Sequence, residues 1–68
     1  MNIVIIDGHG GRMGKMIVEQ LKRRDPGLTL TAVGTNSIAT ATMVKAGADV
    51  GATGENPIAV ACRSADVI

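Results

Sequence analysis

The sequence predicts a parallel α/β sheet with helices on both faces, in the order βαβαβαβ and cut short inside its fourth strand. Three observations lead there. Residues 1–6 form an apolar run broken only by Asn2, the mark of a strand buried on both faces. A glycine-rich turn then runs straight into a helix-period pattern. Further strand-like runs at 28–33 and 49–52 alternate with helix-like ones, as in successive βαβ units with short, right-handed crossovers.

Each element has its own signals. In the first helix, beginning near Arg12, Met13, Met16, Ile17 and Leu21 recur at spacings of three and four, and Lys15, Glu19, Lys22 and Arg23 take the other side. Asp25, Pro26 and Gly27 end it, since proline cannot continue a helix and glycine supplies turn geometry. Residues 28–33 alternate β-branched and apolar side chains and predict strand two. Asn36 or Ser37 would cap a second helix running to about Ala46, with Gly47 as its stop. Residues 49–52 predict a short third strand. Asn56 as cap and Pro57 at the first helical position would open a third helix reaching about Cys62. Residues 65–68 begin a fourth buried strand. No repeat, low-complexity stretch or linker divides the chain, so one domain, itself partial, is expected over 1–68.

Composition narrows the function classes. The chain has 68 residues, 46% hydrophobic, with one cysteine and no Phe, Tyr or Trp. A chain this size buries only about 60% of the surface its unfolded form exposes, and a lone cysteine forms neither an internal disulfide nor a multi-cysteine zinc site. The core must come from Ile, Val, Leu, Met and Ala, the four methionines included, which argues for a homo-oligomer or a part of something larger. A net charge of +1 and the lack of aromatic platforms speak against nucleic-acid binding. No apolar run approaches the roughly 20 residues of a membrane span and no signal peptide is evident, so a cytoplasmic location is expected.

The chemistry-bearing stretch is Gly8, His9, Gly10, Gly11, Arg12, Met13 and Gly14, between strand one and helix one. A strand ending in such a turn aims backbone N–H groups and the positive end of a helix dipole at one spot, which suits phosphate. Gly8, Gly11 and Gly14 have the spacing to serve as turn, pyrophosphate approach and helix–strand contact. The alternative is that they only make a tight βα turn. An ATP-type loop fits poorly: with its Gly-Lys on Gly14 and Lys15, His9 replaces the first glycine and Met16 the magnesium-binding hydroxyl.

Around this loop, Gly8, Gly11, Arg12, Met13 and Gly14 resemble the loop of the dihydrodipicolinate reductases, whose N-terminal Rossmann domain binds NADH or NADPH. The resemblance covers about 20 residues and implies that the loop amides hold a pyrophosphate; nothing matches that family's substrate domain or its catalytic His and Lys. Over the whole chain, Ile5-Ile6-Asp7-Gly8, residues 32–40, 45–49 and 51–57, and Ala65-Asp66-Val67-Ile68 resemble a family of short bacterial proteins with a Rossmann-like N-terminal half and no known function. Its members run to about 130 residues, an ordinary size for one domain. That resemblance implies little chemistry, and implies that about half of the usual chain lies beyond Ile68.

A Rossmann unit for NAD normally carries Asp or Glu at the end of strand two. Gly34, Thr35, Asn36 and Ser37 stand there instead. The missing acid weakens NAD in particular and leaves NADPH or a mononucleotide open, hydroxyl and amide groups at a helix N-terminus being able to hold a phosphate; alternatively these residues only cap helix two. Asp7 would cap loop amides, pair with Arg12 or ligate a metal. His9 would touch a phosphate or stay solvated, and Cys62 reads as a small core residue. Glu55 has no evident structural duty. The expected function is nucleotide binding, with NAD(P) foremost as cofactor. The alternatives are the N-terminal part of an NADPH-dependent reductase lacking its catalytic half, an ATP or mononucleotide binder, and an assembly fragment with an empty loop.

Overall fold

The computed structural model describes all 68 residues. Strands β1 (Asn2–Asp7), β2 (Thr29–Gly34) and β3 (Val50–Thr53) form one parallel sheet in the order β1-β2-β3. They alternate with helices α1 (Arg12–Arg24), α2 (Ser37–Lys45) and α3 (Glu55–Arg63), a Rossmann-like βαβαβα arrangement. The expected fourth strand is reduced to one parallel bridge, Ile3 to Val67, on the side of β1 away from β2. Val4 N–H donates to the Val67 carbonyl at 2.8 Å, and no further bridge follows.

The period of two along the strands divides the core. Ile5, Leu30 and Ala32 point to the α1/α2 side and pack with Val18, Met43 and Ala48. Val4 and Val33 point to the other side, toward α3, and are also buried. On the first side close approach depends on glycine: a Cβ on Gly51 would overlap Val44 and come within 3.1 Å of Thr40 Cγ2. Asn36 Oδ1 accepts from Ala39 N–H at 2.9 Å, so Asn36, and not Ser37, caps α2. Gly47, at φ +123°, closes that helix as expected. Lys22 joins α1 to the start of β3 through Asp49 at 2.7 Å, and Asp49 also accepts from Leu30 N–H at 2.8 Å.

Two expectations need correction. The buried face of α1 runs through Gly14 and Val18, while Met13 and Met16 are 71% and 60% exposed. Of the four methionines only Met43 fills the core; Met1 is exposed as well. The helical period was right and its phase wrong by about one residue, because Gly14, with no side chain to score as apolar, lies at the centre of the contact. Helix α3 starts earlier than expected, with Gly54 as N-cap and Glu55 in its first turn, so Pro57 sits inside the first turn and Asn56 is not the cap. Glu55 thereby has a structural duty, its charge favouring the positive helix end.

Candidate functional site

The β1–α1 loop sits at the carboxyl end of β1, which lies between β2 and the Val67 bridge, the place where the direction of strand addition reverses. Gly8 carbonyl accepts from Gly11 N–H at 2.9 Å to close the turn. Two conformations there are left-handed: Gly11 at φ +73°, which is the α1 N-cap, and His9 at φ +50°, uncommon for a residue with a side chain.

Asp7 organises the loop. Its Oδ1 accepts from Gly8 N–H at 2.8 Å and its Oδ2 from Gly14 N–H at 2.7 Å. It forms no ion pair with Arg12, whose side chain is exposed. Of the three roles open to Asp7 in the sequence, this is the capping of loop amides. Since α1 has no acid in its first turn and no side-chain N-cap, the Asp7 carboxylate is the only anion bonded to that end of the helix.

The glycines do separable work. A Cβ on Gly11 would sit 2.6 Å from the Ala39 carbonyl oxygen, and one on Gly14 would overlap Met43 Sδ and lie 3.1 Å from Asp7 Cβ. Both bring the loop and α1 against the neighbouring elements. Gly10 is different, with nothing within 4 Å of its Cβ position. The amides of His9, Gly10, Arg12 and Met13 have no backbone or side-chain acceptor. They form the free donor set of the site, together with the exposed side chains of His9 and Arg12.

The second group of expected residues is split. Gly34 is buried, donates to Thr40 Oγ1 at 3.1 Å and has no room for a Cβ; it is a packing position. Asn36 spends its side-chain oxygen on the cap. Thr35 and Ser37 are exposed, and neither hydroxyl makes a hydrogen bond within the chain. Thr35 Oγ1 lies 2.9 Å from the Gly8 Cβ position, so the two loops abut. Thr40, not singled out in the sequence, ties α2 to the ends of β2 and β3: its Oγ1 also lies within hydrogen-bond reach of the Asn36 and Ala52 carbonyls, at 3.2 and 3.1 Å, and of the Thr53 hydroxyl at 2.7 Å. A threonine in the first turns of a helix gives no sign of such a role without the neighbouring strands.

Gly8 to Gly14 line none of the surface cavities. The loop is an open edge, and the adjoining hollow is an apolar groove of about 390 Å³ along the outer side of β1, lined by residues that include Ile3, Ile6, Ile17, Leu21, Val67 and Ile68. No helix is long and apolar enough to cross a membrane. Among known proteins, a family model described as a domain of unknown function, DUF3842, matches residues 2–68. No curated protein and no solved structure matches the chain.

Proposed function

The chain belongs to the DUF3842 family, and we propose that its β1–α1 loop binds the phosphate of a nucleotide, with NAD(P) the best-matched ligand. The observation that carries this reading is the set of four unpartnered amides, His9, Gly10, Arg12 and Met13, gathered at the positive end of α1. Such donors satisfy phosphate oxygens with no side-chain rearrangement. Arg12 adds an exposed, unpaired cation beside them. Thr35 and Ser37 provide hydroxyls at the end of β2, where a ribose or its 2′-phosphate would lie, and no carboxylate there repels that phosphate.

One observation favours a second reading. Asp7 already gives the helix end an anion, so the loop is satisfied as a structural joint and need not hold a ligand. Gly10→Glu separates the two, since Gly10 has room for a side chain and the new carboxylate would stand among the free amides. With millimolar NADPH, NADH, ADP or ATP, the binding reading expects a calorimetric signal and a rise in melting temperature from the dinucleotides. That signal should not require magnesium, because Met16 replaces the metal-binding hydroxyl, and Gly10→Glu should abolish it without changing the melting temperature of the free protein. Silence from all four ligands leaves the joint as the correct reading.

A further inference from the structure

We propose that α3 is a hinged flap over the second face of the sheet, held shut by a latch between residues 64–67 and the start of β1, and that it opens while the rest of the fold stays intact. The contrast among the helices carries the inference. Helix α1 buries Gly14 and Val18, α2 buries Ala39 and Met43, and α3 buries nothing. Its apolar stripe, Ile58, Ala61 and Cys62, is only half-buried. Between α3 and the sheet is an open cavity of about 220 Å³, with Pro57, Val60 and Ala61 on one side and Thr31, Val33 and Val50 on the other. Loosely covered apolar surface and few buried contacts mark the parts of a protein that open first.

The two ends of the flap differ. At the hinge, Gly54, at φ +110° and with no side-chain cap, donates to the Gly34 carbonyl at 3.0 Å. At the far end the bonds converge on Asn2. Its backbone N–H donates to Asp66 Oδ2 at 2.7 Å, its side-chain amide to the Ser64 carbonyl at 3.3 Å, and its carbonyl accepts from Asp66 N–H at 2.8 Å. The Val4 to Val67 bond at 2.8 Å completes the latch. Breaking this cluster frees α3 to swing about Gly54 and uncovers Val33, whereas the core of Ile5, Val18, Leu30, Ala32 and Met43 lies on the opposite face and is untouched.

Cys62, the sole cysteine, reports the motion. Its reaction with the aromatic disulfide DTNB would be followed in this 68-residue chain from zero urea to just below the unfolding midpoint, alongside hydrogen-exchange mass spectrometry. The flap expects thiol labelling nearly independent of urea at low concentration, and amides of residues 55–63 exchanging at least tenfold faster than those of 13–24. Asp66→Ala, which removes the carboxylate acceptor, should raise the labelling rate severalfold and leave exchange in α1 unchanged. Labelling that follows global unfolding, exchange of α1 and α3 together, or an Asp66→Ala variant that loosens α1 as much as α3 or leaves the labelling rate unchanged would overturn it.

Discussion

Gly14→Ala tests whether the loop glycines are there for packing. Position 14 has ordinary helical geometry, and on propensity alone alanine in a helix should stabilise by about 1 kcal/mol. The surroundings oppose this. The added Cβ would overlap Met43 Sδ, stand 3.0 Å from Met43 Cγ and 3.1 Å from Asp7 Cβ. Met43 is fully buried and cannot swing into solvent, and Asp7 is tied to the same residue through its bond to Gly14 N–H. Overpacking of this kind costs about 1–3 kcal/mol, and loosening the Asp7 bond about 1 more. After the propensity gain the expected loss is about 2 kcal/mol, a fall in melting temperature of about 8–16 °C in a domain this small. Circular dichroism melts measure the fall. A double-mutant cycle with Met43→Ala assigns its cause: once the methionine atoms are gone, Gly14→Ala should be neutral or stabilising by about 1 kcal/mol. Urea titration at 10 °C with a stabilising osmolyte keeps the doubly substituted chain folded for the measurement. A Gly14→Ala protein as stable as the parent, or a cost that persists without Met43, refutes the close-contact argument.

Two further predictions concern the scaffold. Asn36→Ala removes the α2 cap accepted by Ala39 N–H and should cost about 1 kcal/mol, seen as a fall of about 4–8 °C in melting temperature; an unchanged melt would mean that the α2 N-terminus does not need it. The Asp49 carboxyl is held below its ordinary value of 3.8, first by the hydrogen bond from Lys22 and then by the Leu30 amide. A lowered folded-state value means that its contribution is present above about pH 4 and lost as pH falls through the folded value. Asp49→Asn should therefore flatten the acid side of the stability profile below pH 4 and lower the urea midpoint at pH 7. Parallel profiles for the two proteins would contradict the assignment.

The legible parts of the fold were those written in local chemistry. The unbroken run of residues 3–6, the Asp25-Pro26-Gly27 stop and a cap at Asn36 or Ser37 are each set by a few neighbouring residues, and the elements appear where the sequence puts them, with Asn36 the cap of the two. What the sequence did not carry was the direction in which α1 faces. Met13 and Met16 score as apolar and are exposed, while Gly14 scores as nothing and is buried, because the decisive quantity is how closely Met43 of another helix approaches. The same limit hid Thr40, whose partners come from β2 and β3. It also placed the start of α3 two residues late: Asn56-Pro57 is a good local start, but Gly54, fixed by its bond to the Gly34 carbonyl, begins the helix earlier.

Asp7 decides how strong a ligand the loop could hold. Its position next to Gly8 reads in the sequence as a liability for a phosphate site, since two negative charges in one pocket repel. The geometry turns part of that liability into structure: the carboxylate faces inward to Gly8 and Gly14, and four other amides stay free. A bound phosphate would still feel the charge, so the loop should favour ligands that present few negative charges to it over those that present many. A dinucleotide, with one charge on each phosphate of its diester bridge, suits that balance better than a magnesium-free triphosphate. The two readings of the loop meet at a single residue, for the carboxylate that stabilises an empty loop is the one that would limit what a filled loop could take.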